Sequence, residues 1–334
     1  MSEMKQLVQH FPTQLREALA IGGRFQPHSS PGASGFQPQN VLITGLGGSG
    51  IGGTIVSELV SHECKVPITV NKDYFLPAFV NENTLVIVCS YSGNTEETLY
   101  AMEEAVRRKA KIVCVTSGGK IGDLAKKNNF DMILIPSGMP PRSCLGYSLT
   151  QLFFILYQWK LIGDGFREQL SSAIDLITRE EKAMKKEAIT ISDFLFKKTP
   201  VIYAVDGYNG VATRVRQQLN ENSKMLCWHH VIPEMNHNEL VGWAGGTDQL
   251  AVLILRNKSD FSRSQSRIEI NKKVFSKYTP HVYELWSKGN SSLEQSIYLI
   301  HLTDWVSCYL ADKNSVDASE INVINDLKGA LAKI

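Results

Sequence analysis

From residue 41 onward, short apolar runs alternate with longer stretches whose apolar residues recur at helical spacing. The runs are Val41–Thr44, Ile68–Val70, Leu85–Cys89, Ile112–Thr116 and Met132–Ile135, and helix-like segments such as Ile51–Val60 and Thr95–Lys109 lie between them. Strands that read as nearly unbroken apolar runs are those covered on both faces, and intervening helices supply the crossovers that a parallel sheet requires. Residues 41–136 are therefore expected to form a doubly wound α/β sheet. Helical stretches follow at Leu145–Leu161 and Phe166–Phe196, the latter with a charged run, Arg179–Ala188, that reads as a solvated face. The pattern then begins again. Val41–Gly53 lies over Val201–Thr213 at an offset of 160, with Gly47 over Gly207 and Gly50 over Gly210. Leu250–Leu255 and Val282–Trp286 repeat Leu85–Cys89 and Ile112–Thr116, and Ser296–Leu310 repeats the helix after the first sheet. The expected fold class is α/β, with two doubly wound parallel-sheet domains related by an internal repeat, residues 1–160 and 161–334.

The segment before residue 41 divides in two. Its first twenty residues mix charges and apolar side chains at helical spacing, whereas Gly22–Asn40, rich in Gly, Pro, Ser and Gln, reads as a loop outside the core. The 35 Lys and Arg nearly cancel 33 Asp and Glu, leaving a net charge of +2. That balance lacks the basic excess of a nucleic-acid binder, so no nucleic-acid partner is expected and any anion site must be local. No run approaches the roughly 20 apolar residues of a membrane span. With no secretory leader pattern at the amino terminus, the expected compartment is the cytoplasm. The six cysteines, at 64, 89, 114, 144, 227 and 308, are scattered without a CxxC pair. Reduced, buried thiols are expected.

Two turns carry candidate chemistry. Gly45-Leu46-Gly47-Gly48-Ser49-Gly50 follows a strand and opens a helix. Such a loop aims backbone N–H groups and a helix N-terminus at an anion, and suits any phosphate as well as a dinucleotide. Ser90-Tyr91-Ser92-Gly93-Asn94-Thr95 follows the next strand and opens a helix with Glu96 and Glu97 in its first turn. One of the three hydroxyls is explained as a helix cap; three around a glycine exceed that need and suit a phosphate monoester. A dinucleotide fold calls for an acidic ribose reader near Asn71–Asp73, where Asp73 is a weak candidate.

These two turns, with the later block Pro233-Glu234-Met235-Asn236-His237-Asn238-Glu239, resemble the sugar isomerase (SIS) domain proteins, and among them the bifunctional phosphoglucose/phosphomannose isomerases. The likeness runs from about Val41 to Lys328. It implies SIS-type, flavodoxin-like domains and an aldose–ketose isomerase acting on a sugar phosphate, without cofactor or metal. Carried over by motif, Gly48, Ser49, Ser90, Ser92 and Thr95 would hold the substrate phosphate. Arg142, in Pro141-Arg142-Ser143-Cys144-Leu145-Gly146-Tyr147, would face the reacting carbons and stabilise enediolate oxygens. Glu221, in Leu219-Asn220-Glu221-Asn222-Ser223-Lys224, would be the base that moves a proton between C1 and C2. His237 and Lys328 would open the sugar ring, with Lys333 a weaker substitute for Lys328. The resemblance also implies a homodimer in which His237 reaches the neighbouring subunit's site.

Each residue has a plainer alternative. By residue type alone Glu221 reads as a solvated helix-end residue, but the uncharged Asn220 and Asn222 beside it fit a positioned carboxylate better; Arg142 reads as a surface residue after a Pro-Pro turn, and Lys328 as a solvated terminal lysine. A metal site built from His229, His230, His237 and Glu239 lacks HxH or HExxH spacing, and consecutive histidines on a strand point to opposite faces. A sugar-phosphate sensor needs the phosphate cradle but neither base nor ring-opening pair. A nicotinamide dehydrogenase rests on the glycine motif alone.

Overall fold

The computed structural model describes residues 2–28 and 36–333. Two helices, α1 (Glu3–Gln9) and α2 (Phe11–Gly23), precede the first α/β unit. That unit runs β1 (Asn40–Thr44), α3 (Gly47–Leu59), β2 (Ile68–Asn71), β3 (Thr84–Ser90), α4 (Glu96–Arg107), β4 (Lys111–Thr116), α5 (Gly119–Lys127) and β5 (Asp131–Leu134). All its strand pairs are parallel, in the order β2-β1-β3-β4-β5. This is the flavodoxin-like doubly wound order. After a 3-10 turn at Pro141–Ser143, α6 (Leu145–Gln158) and α7 (Phe166–Leu195) lead to the second unit. It comprises β6 (Thr199–Val205), α8 (Asn209–Ser223), β7 (Trp228–Ile232), α9 (Glu239–Gly242), β8 (Leu250–Arg256), α10 (Ser262–Phe275) and β9 (Val282–Trp286). Its four parallel strands take the order β7-β6-β8-β9, the first unit's order without the last strand. The chain closes with α11 (Ser292–Lys313) and α12 (Asn322–Leu331).

Burial follows from the apolar runs. Every residue of β3 is buried, as are the last six of β6 and of β8. One large apolar core joins the two units, because α3 of the first packs against α8 of the second, and α11, buried over most of its length, packs against α7 and α8. A smaller cluster under α4 and α5 covers the other face of the first sheet. α7 is amphipathic, with Leu170, Ile174, Ile177, Met184 and Ile191 buried and the charged run outward, as its pattern predicts.

Three expectations need correction. The loop expected at Gly22–Asn40 falls partly on residues 29–35, outside the described residues, but Phe25 is buried and stacks on Trp159, so this segment does contribute to the core. Cys64 and Cys227 are only half-buried, whereas Cys89, Cys114, Cys144 and Cys308 are buried as expected. The strand β7 escaped the reading of apolar runs because Trp-His-His-Val-Ile lies at a sheet edge and only Ile232 is fully buried. Among the described residues no helix is long and apolar enough to cross a membrane.

Candidate active site

β1 and β3 are parallel neighbours, so the turns that follow them stand side by side at the carboxyl edge of the first sheet, where open α/β sheets bind ligands. Ser49, buried in the first turn of α3, accepts a 3.0 Å hydrogen bond from the Tyr91 N–H and ties the two turns together. Ser90 Oγ lies 3.0 Å from Thr95 Oγ1 and accepts the Gly93 N–H at 3.1 Å. Ser92 is exposed and accepts the Asn94 N–H at 3.2 Å. Thr95 occupies the N-cap position of α4, yet its hydroxyl makes no capping bond and turns to Ser90 instead. The first N–H groups of α4 thus keep their capacity for an anion. Asp73 accepts from the Tyr74 N–H within its own turn.

Gly48 joins this edge to the next element. A Cβ at Gly48 would stand 2.8 Å from the Pro141 carbonyl oxygen and 3.1 Å from the Arg142 Cα, so only glycine lets the 3-10 turn seat on the start of α3. Gln14 of α2 fixes that turn from the other side, donating to the Ser143 carbonyl and accepting the Gly146 N–H, both at 2.8 Å. Arg142 is 3% exposed. Its Nε donates to Asn222 Oδ1 at 2.8 Å, and its Nη2 to the carbonyls of Ala318 at 2.6 Å and Ser319 at 3.3 Å. Its Nη1 lies 3.5 Å from Glu221 Oε2. Burial lowers the Arg142 pKa, while Glu221 opposes that shift. The guanidinium is therefore anchored on two sides and presents its third toward Glu221.

Glu221 reaches this place because α3 and α8, the helices after the two glycine turns, pack antiparallel: the start of α3 meets the end of α8 through Arg142, and the end of α3 meets the start of α8. At the second contact a Cβ on Gly210 would stand 2.8 Å from Ile55 Cγ1 and 3.0 Å from the Ile55 nitrogen. The second glycine turn is thus retained for helix packing. Its anion-binding end is filled, since the Gly210 N–H donates to both oxygens of Glu58, at 3.1 and 3.0 Å. Burial, with Asp206 adding to it, raises the Glu58 pKa to about 7 against the opposing Gly210 N–H and Lys72.

The predicted residues therefore separate into two groups. Gly48, Ser49, Ser90, Ser92, Thr95, Arg142 and Glu221 line one continuous edge, drawn from both halves of the chain. His237 stands apart from it, and Lys328 lies on α12, whose preceding segment is bonded to Arg142. His237 is exposed in a 3-10 turn after β7, level with the start of α8. Since α8 has 15 residues, that places His237 roughly 20 Å from Glu221. Lys328 is exposed on α12. Lys333 follows the end of that helix and is also exposed. The histidines considered for a metal are dispersed as well: His229 Nε2 meets Thr213 Oγ1 at 2.9 Å, whereas His230 Nδ1 meets Glu239 Oε2 at 2.9 Å. Burial and the Arg216 charge push the His229 pKa down to about 4. Among the described residues no three His, Cys, Asp or Glu side chains group as metal ligands. Glu239 also accepts from Trp228 Nε1 and Tyr203 Oη, so it pins the loop to the sheet and leaves the His237 imidazole alone.

Two residues at the site were not singled out by sequence. Asn222, fully buried, accepts from Arg142 and donates to Ser307 Oγ at 2.9 Å. Lys224, in the left-handed conformation at the end of α8, donates to the carbonyls of Glu221, Asp317 and Glu320 and so ties the end of α8 to the segment that bears α12. The uncharged asparagines around Glu221 were the available signal for the first; nothing in the sequence marks the second.

Comparison with known proteins shows the family and the fold. Residues 184–331 match the family described as the bacterial phospho-glucose isomerase C-terminal SIS domain, and residues 64–144 match the SIS domain. A bifunctional phosphoglucose/phosphomannose isomerase of Caldicellulosiruptor bescii is 39% identical over 99% of both chains. One from Aquifex aeolicus is 34% identical over 88% of this chain and 91% of its own. A D-glucosamine-6-phosphate 4-epimerase of Sulfolobus acidocaldarius is 27% identical over 87% of this chain and 88% of its own. Among solved structures, the C-terminal domain of a glucosamine-fructose-6-phosphate aminotransferase from Francisella tularensis superposes with a TM-score of 0.79 at 15% identity, covering 96% of this chain and 98% of that one, a likeness of fold.

Proposed function

Because the chain belongs to the family of bifunctional phosphoglucose/phosphomannose isomerases, we propose that it interconverts glucose 6-phosphate and mannose 6-phosphate with fructose 6-phosphate through a cis-enediolate. The observation that carries this reading is the meeting of Gly48, Arg142 and Glu221, which places one carboxylate, one cation and a hydroxyl-lined helix start on a single edge. In this reading the phosphate lies against Ser49, Ser90, Ser92 and Thr95 and the first turns of α3 and α4. Glu221 takes the proton from C2 of the open aldose and returns it to C1, while the Nη1 edge of Arg142 stabilises the charge that develops on O1 and O2. Glucose and mannose phosphates give the same enediol, so rotation about C2–C3 lets Glu221 serve both epimers.

Ring opening needs a proton moved between O1 and O5. We assign it to Lys328 and to His237 of a second copy, since His237 stands at the wrong end of α8 to act in its own chain. The active form is then a homodimer. The two halves divide near residue 160, and six free thiols, four of them buried, suit the reducing cytoplasm.

The test is a coupled assay with glucose 6-phosphate, mannose 6-phosphate and glucosamine 6-phosphate on chelator-treated protein. Turnover of the first two and not the third is expected. Binding without turnover would make the protein a sensor, and activity abolished by the chelator would overturn the metal-independent mechanism. For the shared site, Glu221→Gln and His237→Ala are mixed: each alone is inactive, and heterodimers with one intact site should restore about a quarter of the wild-type rate. No restoration in a stable dimer would place His237 elsewhere.

A further inference from the structure

Tyr91 lies between Ser90 and Ser92 in the second turn, yet its side chain is buried and serves a different segment: Tyr91 Oη accepts the Met139 N–H at 3.0 Å. Its backbone is gripped on both sides. The Tyr91 N–H donates to Ser49 Oγ at 3.0 Å, and its carbonyl accepts from the Ser117 N–H at 3.0 Å and from Ser117 Oγ at 2.6 Å, in the turn after β4. The phenol thus extends from a root that the turns after β1 and β4 hold in place. The stretch it reaches, from Ile135 to the 3-10 turn, contains Pro136, Pro140 and Pro141, which have no N–H, so the Met139 N–H is one of few groups by which this stretch can be tied down. Burial, with Cys144 adding to it, pushes the Tyr91 pKa up to about 12 against the Met139 N–H, so the phenol is a neutral acceptor there.

Three segments meet here, and three contacts close them into a triangle. Ser49 joins the first turn to the second through the Tyr91 N–H. Gly48 seats the first turn against the Pro141 carbonyl and the Arg142 Cα. The phenol joins the second turn to Met139, three residues before Arg142. Two of these contacts alone would leave a hinge; the third fixes the distance between the hydroxyl turn and the turn that carries Arg142, whose guanidinium faces Glu221. That distance is the one a sugar phosphate spans from its phosphate to C1 and C2. One carbon changes the length of an extended chain by about 1.3 Å. A misplacement of about 1 Å at reacting atoms costs about 10²-fold. We propose that Tyr91 is a positioning residue whose phenol is the strut that sets this span, and that the span selects six-carbon over five-carbon sugar phosphates; the proposal rests on the placing of the phosphate at the hydroxyl turns and of C1 and C2 at Arg142 and Glu221. The rival reading is that Tyr91 only fills the apolar core it belongs to, which a phenylalanine ring would do equally well.

The test compares the wild-type chain with Tyr91→Phe, which keeps the ring and removes the hydroxyl. Titration calorimetry with glucitol 6-phosphate, arabinitol 5-phosphate and inorganic phosphate reads the span without turnover, since the two alditols share their stereocentres from the phosphate end and differ by one carbon. Wild type should bind the hexitol at least about tenfold more tightly than the pentitol, and Tyr91→Phe should reduce that ratio to below about threefold while holding inorganic phosphate within about twofold of wild type. With glucose 6-phosphate, kcat of the variant should fall at least about tenfold and KM change less. Tyr208→Phe controls for lost stability: it removes a phenol that donates to Gln295 Oε1 at 2.8 Å in the second unit, and it should leave the ratio as in wild type. A wild type without the preference, a ratio unchanged in Tyr91→Phe, a ratio equally reduced in Tyr208→Phe, or an affinity for inorganic phosphate that falls as far as that for the hexitol would each overturn the strut. The two ideas fail separately: a wild type that prefers the hexitol but turns over no aldose phosphate sinks the isomerase reading and leaves the strut, whereas normal isomerisation with an unchanged ratio in Tyr91→Phe sinks the strut alone.

Discussion

Replacing Arg142 by lysine keeps the charge and removes the fork. Arg142 directs Nε to Asn222, Nη2 to Ala318 and Ser319, and Nη1 toward Glu221. A lysine ammonium is a point donor and cannot serve three separated directions at once. Two losses follow. Asn222 Oδ1 or the Ala318 carbonyl loses a charged donor in a buried place, and a hydrogen bond of that kind contributes about 1.5–3 kcal/mol, so Arg142→Lys should lower folding stability by about 1–3 kcal/mol once the partial substitute is allowed for. The developing enediolate also loses an oriented donor. Removing one such donor costs about 2.7–4 kcal/mol, or roughly 10²–10³ in turnover. Steady-state kinetics on both aldose phosphates, with urea unfolding of the same samples, measures both effects. KM should change far less than kcat, because the phosphate is assigned to the hydroxyls of the two turns. Turnover within a few-fold of wild type, or a loss confined to KM, would refute the role given to Arg142. Asn222→Ala is the companion: it leaves Nε unpaired but the guanidinium present, so it should lower kcat by a smaller factor, roughly tenfold, with the same pattern in KM.

Glu58→Gln should change how stability depends on pH. The folded pKa of Glu58 is raised to about 7, so its contribution is fully present below the unfolded value near 4.5 and is lost as pH rises toward and through 7. The glutamine does not titrate and can still accept the Gly210 N–H; relative to wild type it should gain about 1–3 kcal/mol between pH 5 and pH 8 in urea melts, and a parallel pair of pH profiles would contradict the buried-carboxylate reading. Gly48→Ala places a methyl against the backbone of Pro141 and Arg142, so it should lower kcat at least tenfold with the fold retained by circular dichroism. A fully active variant would show that the 3-10 turn yields without moving Arg142.

The centre of the first sheet was legible because β1, β3 and β4 are buried almost throughout and therefore read as unbroken apolar runs. β7 was not, since an edge strand needs only one apolar anchor, here Ile232. The repeat at offset 160 was equally visible, but its paired glycines have different reasons: Gly50 admits the Gly45 carbonyl of its own turn, whereas Gly210 admits Ile55. Ser49, Ser90, Ser92 and Thr95 were readable because each belongs to a turn that directly follows a strand. The hydrogen bond between Arg142 and Asn222 spans 80 positions of sequence and exists only because α3 and α8 pack antiparallel, so no local pattern announces it. Phe25 was missed for a related reason: its polar, proline-containing surroundings mark a loop, while its burial is decided by Trp159 far along the chain.

The central claim is that Glu221 carries the proton between C1 and C2. Its most direct measurement follows the exchange of those carbon-bound hydrogens by proton NMR in heavy water, with fructose 6-phosphate as substrate, for wild type and Glu221→Gln. The account predicts that the variant still binds the sugar phosphate while isomerisation and hydrogen exchange both fall by at least about a hundredfold. Exchange in Glu221→Gln that continues at the wild-type rate would contradict it and move the base to another residue.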